Sequence, residues 1–107
     1  MKRRAIFAAL ALAGCQQQGA DGYAYERTEF DRREIAVTVV AHPSLADLRA
    51  EAARRGVSDG DREIMAFGLV AADRPACEIH IVDPAKDYRP EWIGHELTHC
   101  IRGRWHS

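Results

Sequence analysis

The chain has 107 residues, with 15 Lys and Arg against 16 Asp and Glu and a formal net charge of −1 at neutral pH. That length admits one small domain once a leader is set aside, and the balance of charge excludes nucleic acid as an expected partner.

The first element is an address. Met1-Lys2-Arg3-Arg4 is a basic start, and Ala5 to Ala13 is an unbroken apolar run too short to span a bilayer, so residues 1–14 read as a signal peptide and not an anchor. Leu12-Ala13-Gly14-Cys15 resembles the bacterial lipobox, which implies that Cys15 becomes the acylated N-terminus of the mature chain. The alternative is an ordinary secretory peptide cut nearby. Both readings export the protein, and the first anchors it by lipid in the cell envelope, facing the periplasm or the exterior. Loss of Lys2, Arg3 and Arg4 leaves 12 basic residues against 16 acidic, so the mature chain carries about −4. Gln16 to Gly22 is polar and glycine-containing, and residues 15–29 are expected to be a lipidated tether. The folded domain is expected over residues 30–107.

Residues 34–42 are β-branched and loosely alternating, with Ile35, Val37 and Val39 on one side, and predict a strand. Ser44 then caps a helix, with Asp47 three residues on, Leu45, Leu48 and Ala52 on its apolar face, and Gly56 at its end. Val57 to Asp61 reads as a turn. Glu63 to Ala72 is nearly all apolar and is expected as a covered strand, since Phe67-Gly68 argues against a helix. After the turn at Asp73-Arg74-Pro75, Cys77 to Val82 alternates as the next strand, with Cys77, Ile79 and Ile81 on one face and Glu78 and His80 on the other.

The last element organises the chain. Pro90 suits a first helical turn and Gly103 a C-terminal stop, which predicts a helix over 90–102. Ile93, Leu97, Cys100 and Ile101 form its apolar stripe, and Trp92, His95, Glu96 and His99 share the other side. His95, Glu96 and His99 spell H-E-x-x-H. Histidines four residues apart project from one helix face and can grip one metal ion, while Glu96, turned about 100° away, stands beside the metal where a general base belongs.

These residues resemble the zincin metallopeptidases, and the tail from His99 through Gly103 to His106 is similar to the metzincin signature. One residue is added between His99 and Gly103, and no Met follows to make the family's Met-turn. The eight residues after His99 hold no Asp or Glu for the other zincin pattern. His106 is therefore the natural third ligand, with an upstream residue or the C-terminal carboxylate of Ser107 as alternatives. The resemblance implies one zinc ion held by His95, His99 and His106, with Glu96 as base in hydrolysis of a peptide or protein, the peptide stems of a cell-wall polymer included. It also implies an α+β fold with a small twisted sheet of three to four strands, and a backing helix and the metal helix on one side of it. The strand from Cys77 to Val82 is the expected edge that binds substrate backbone, and the family's second subdomain is not expected before Ser107. A partner protein completing the cleft is left open. His80 and Tyr88 are candidate oxyanion or substrate contacts, with surface strand and loop positions as the plainer roles, and His42 is a weaker candidate. Trp92 and Trp105 wall the cleft or pack on the core.

With Cys15 given to the lipid, Cys77 and Cys100 are an even pair in an oxidising compartment, and a disulfide between them is expected. Two buried thiols, or Cys77 as a zinc ligand, are the alternatives. The rival function is a lipid-anchored zinc-binding adaptor without turnover, in which the metal only fastens the helix to the tail.

Overall fold

A computed structural model describes residues 19–25, 27–104 and 106. The leader and Cys15, with Trp105 and Ser107, lie outside the described residues. In chain order come β1 (Ala36–His42), α1 (Leu45–Arg54), β2 (Phe67–Val70), β3 (Ala76–Val82) and α2 (Pro90–Arg102). The fold is a small α+β arrangement of a three-stranded mixed sheet and two helices. β3 pairs in parallel with β1, from Ala36 opposite Ala76 to His42 opposite Val82. On its other side it pairs antiparallel with β2, from Phe67 opposite His80 to Val70 opposite Cys77.

This order corrects the expected edge. β3 lies in the middle, and its sequence accounts for that: Ile79, His80 and Ile81 are all buried, so both faces of the strand are covered, as a central strand requires. Among the described residues the free edges belong to β1 and β2. The apolar run from Glu63 to Ala72 also yields only four strand residues. Arg49 of α1 donates from Nε to the Ile64 carbonyl at 2.9 Å, and Ile64 packs against Leu48, Ala52 and Phe67, so the start of the run is held to the helix as a loop.

The two helices cover opposite faces of the sheet, not one side. Period-two alternation along β3 makes this visible. Cys77 and Ile79 pack with Cys100 of α2. His80 points the other way and stacks on Phe67, which packs with Leu48 and Ala52 of α1. α1 itself starts as its sequence dictates. Ser44 Oγ accepts from the Asp47 N–H at 3.1 Å, and Gly56, at φ 70°, follows the helix in the left-handed region open to glycine.

α2 runs over the expected residues, with Pro90 in its first turn. Its rotation differs from the apolar stripe. Its buried residues are His95, Glu96 and Cys100, whereas Leu97 and Ile101 are 37% and 38% exposed. A covalent bond decides this. Cys100 is joined to Cys77 with Cα atoms 5.9 Å apart, 23 residues distant in sequence, and that crosslink turns the polar arc of the helix inward. No helix among the described residues is long and apolar enough to cross a membrane. The disulfide fits an oxidising compartment.

A core this small leans on its crosslink. Replacing Cys77 and Cys100 together by Ala is expected to lower unfolding stability by about 3 kcal/mol, read as a lower urea midpoint. An unchanged midpoint would remove the crosslink from the stability of the fold.

Candidate metal centre

On α2 the two histidines of the motif stand one turn apart, and their Nε2 atoms lie 3.2 Å from each other. What lies behind each ring decides what that distance means. The Nδ1 atom of His99 is 2.7 Å from the carbonyl oxygen of Gly103, which can only accept, so Nδ1 carries the proton. The Nδ1 atom of His95 is 2.7 Å from Oδ2 of Asp21. Asp21 is held below the usual carboxylate range: burial pushes its pKa up, but the Tyr23 N–H and His95 outweigh that. An ionised carboxylate accepts, so His95 too is protonated on Nδ1. Each Nε2 is left with a lone pair, and the two point at one another.

Protonation of a ring would relieve that opposition, yet both groups resist it. Burial pulls the pKa of His95 down against the pull of Asp21. Burial likewise lowers His99, helped by the neighbouring His95 and His106 and opposed by the Gly103 carbonyl. A cation between the lone pairs satisfies both. Nitrogens bound to one tetrahedral zinc at about 2.0–2.1 Å are separated by about 3.3 Å, close to the spacing found.

His106 joins them from the tail. One ligand atom from each of His95, His99 and His106 lies within 4.8 Å of the others, so this group could hold a metal ion. The turn that brings His106 back is built at Gly103, which is buried at φ 109° and where any Cβ would collide with Glu29. Glu29 then clamps the chain on both sides of that glycine. Its N–H donates to the Arg102 carbonyl at 2.8 Å, and its carboxylate accepts from the Arg104 guanidinium at 2.8 Å and from the Arg104 N–H at 3.1 Å. This clamp sets the chain exit that the extra residue between His99 and Gly103 leaves open.

Glu96 stands beside the group. It is 4% exposed, and its Oε2 lies 3.7 Å from Nε2 of His95. Burial, then the carboxylates of Asp59 and Asp21, push its pKa up to about 8. Room for it comes from Gly68 of β2, where a Cβ would sit 3.2 Å from Oε1 of Glu96. The group opens into a cleft of about 450 Å³ walled by β2, by the loop carrying Ser58 and Asp59, and by Trp92 and Arg104.

Two expected contacts are elsewhere. Tyr88 is 67% exposed and does not line the cleft. His80 is buried on the α1 side of the sheet, bonded to His42 at 2.8 Å and to Glu78 at 2.7 Å, so both ring nitrogens are occupied and it cannot reach a substrate. His42 belongs to the same network. Trp92 does border the cleft, 5.6 Å from the ring of His95.

The sequence reading missed the residues before 30. Asp21, Tyr23 and Tyr25 lie against the three histidines, so the folded part begins earlier than the tether expectation allows. Tyr23 is 7% exposed, its ring is 4.3 Å from that of His106, and its hydroxyl donates to Asp59 at 2.7 Å. Tyr25 places its hydroxyl 2.8 Å from Nδ1 of His95, and burial with the nearby Asp21 and Glu96 raises its pKa. Two tyrosines spaced i, i+2 were the available signal, because aromatic side chains are depleted in true tethers.

No protein-family model, no curated protein and no solved structure matches the chain.

The raised pKa of Glu96 has a sign that can be checked on chelator-treated protein. A carboxyl that titrates near 8 when folded and near 4.5 when unfolded binds its proton more tightly in the folded state, so its contribution is lost as pH rises from about 4.5 to 8. Glu96→Gln removes that loss. The melting temperature of the variant relative to the parent is expected to rise between about pH 5 and about pH 9, by the equivalent of a few kcal/mol. Parallel pH profiles would show that Glu96 is not titrating in the buried site.

Proposed function

We propose that this chain is a zinc-dependent hydrolase of peptide bonds, held at the cell envelope by a lipid on Cys15. The observation that carries the reading is the pair of opposed lone pairs on His95 and His99, 3.2 Å apart, with His106 near enough to complete a set of three imidazoles. Such a donor set suits zinc, which takes imidazole nitrogen and in catalytic sites keeps a fourth position for water. When bound, zinc supplies a Lewis acid for the scissile carbonyl and lowers the pKa of a water toward neutrality.

The chain's own residues do the rest. His95, His99 and His106 set the position of the reacting centre from one helix and one tail. Glu96 takes the proton of the attacking water and returns it to the leaving amine, a role favoured by a pKa raised toward neutral pH by its burial. The free edge of β2, lining the cleft, offers backbone N–H and C=O groups to an extended peptide, and this replaces β3 as the strand for substrate. Trp92 supplies an apolar wall for a substrate side chain.

An adaptor that used zinc only as a fastener would have little use for Glu96. Burying a carboxyl costs free energy, and a structural zinc usually closes with four protein ligands, whereas the group among the described residues counts three. Cys15 and Asp21 are six residues apart, so at most about 20 Å of chain separates an acyl anchor from the site. Substrates are then peptides presented at the membrane surface or in the wall next to it.

The test compares the mature chain with Glu96→Gln for zinc content and for hydrolysis of a mixed peptide library. Zinc is expected at one per chain in both, and turnover is expected to fall about 10²–10⁴-fold in the variant. Zinc in both proteins with no turnover in either would favour the adaptor, and no zinc in either would end both readings.

A further inference from the structure

We infer that residues 19–25 are a working part of the metal centre, with Asp21 as the positioning residue for His95, so that metal loading and docking of this segment stabilise each other. The inference rests on the zinc site proposed above. Its own support is the set of contacts the segment makes with all three imidazoles.

Asp21 fixes one ring directly. Its side chain is 8% exposed, and its Oδ2 lies 2.7 Å from Nδ1 of His95. A carboxylate there holds the proton on Nδ1, aims the Nε2 lone pair at the cation and makes that nitrogen a stronger donor. Asp21 is itself held in place, because its Oδ1 accepts from the Tyr23 N–H at 3.1 Å across Gly22, which sits at φ 83°. Tyr25 braces the same ring. Its hydroxyl lies 3.3 Å from the His95 carbonyl, and its own ring stands edge-on to those of His99 and His106 at 5.6 and 5.7 Å. Tyr23 closes the set against His106.

None of these side chains belongs to α2 or to the tail. The segment's contacts with the rings therefore form when the three rings are brought together, and those contacts in turn help to hold the rings in place. Two events that each favour the other are thermodynamically coupled, and the coupling is equal in both directions. Zinc should tighten residues 19–25, and damage to Asp21 should loosen zinc.

Both directions can be measured on the mature chain without any activity assay. Zinc affinity is determined by competition with a chromophoric chelator for the parent, Asp21→Asn and Asp21→Ala. Backbone hydrogen exchange at residues 21–25 is followed with and without zinc. Affinity is expected to fall about 10–100-fold in Asp21→Ala and by less in Asp21→Asn, which keeps an acceptor oxygen but not the charge. Zinc is expected to slow exchange in the parent about tenfold or more, and to do so less in Asp21→Ala. The melting temperatures of the chelator-treated proteins separate this from a merely structural role, which would lower them alike and leave zinc affinity where it was. Asp21→Asn, being isosteric, carries the test should Asp21→Ala not fold. Unchanged affinity in both variants, with exchange indifferent to zinc, overturns the inference and leaves the zinc site standing. Failure of the parent to take up zinc removes the site and the inference together.

Discussion

Two imidazole nitrogens facing each other with their lone pairs forward are the constraint from which the rest of this small fold can be understood. Hydrogen bonding at the far side of each ring forbids the simple escape, in which one histidine donates to the other. Gly103 occupies Nδ1 of His99 and Asp21 occupies Nδ1 of His95, at 2.7 Å each. Burial opposes protonation of either ring. A cation would resolve the opposition, and the third imidazole, from the tail, lies close enough that the three could hold one ion.

Three separate stretches of sequence are spent on holding that geometry. The disulfide from β3 to Cys100 fixes the roll of α2, so that the arc carrying His95 and Glu96 faces inward although it is not the helix's apolar stripe. The strap at Glu29 and Arg32 runs along the end of α2 and takes the carbonyls of Ile101 and Arg102, which a helix terminus otherwise leaves without partners. The segment with Asp21, Tyr23 and Tyr25 then closes the site from outside. A domain with so little core would struggle to hold three rings on packing alone, and each of these devices replaces core with a specific bond.

Much of this was legible in the sequence, and the failures have physical causes. The bounds of α2 follow from Pro90 and Gly103, the pairing of Cys77 with Cys100 from parity, and the meeting of His95, His99 and His106 from ligand chemistry. The start of α1 follows from Ser44 and Asp47. Strand order did not follow, because apolar alternation says that Cys77 to Val82 is a strand but says less about how many neighbours it has. His80 reads as a surface position on its polarity alone, and its burial rests on His42 and Phe67, tertiary partners that local pattern does not announce. The extent of β2 was overread, because the Ile64 carbonyl goes to an arginine side chain, a tertiary contact that local pattern cannot announce. Asp21 was invisible for a related reason: its partner is 74 residues away, and a short polar stretch with glycines looks like a tether until its tyrosines are weighed.

X-ray absorption at the zinc edge of the purified mature chain counts the atoms around the ion and so tests whether three imidazoles share it. One zinc per chain is expected, with three imidazole nitrogens at about 2.0–2.1 Å and one further light atom from solvent. A shell containing sulfur, four protein ligands, or no stoichiometric zinc at all would contradict it.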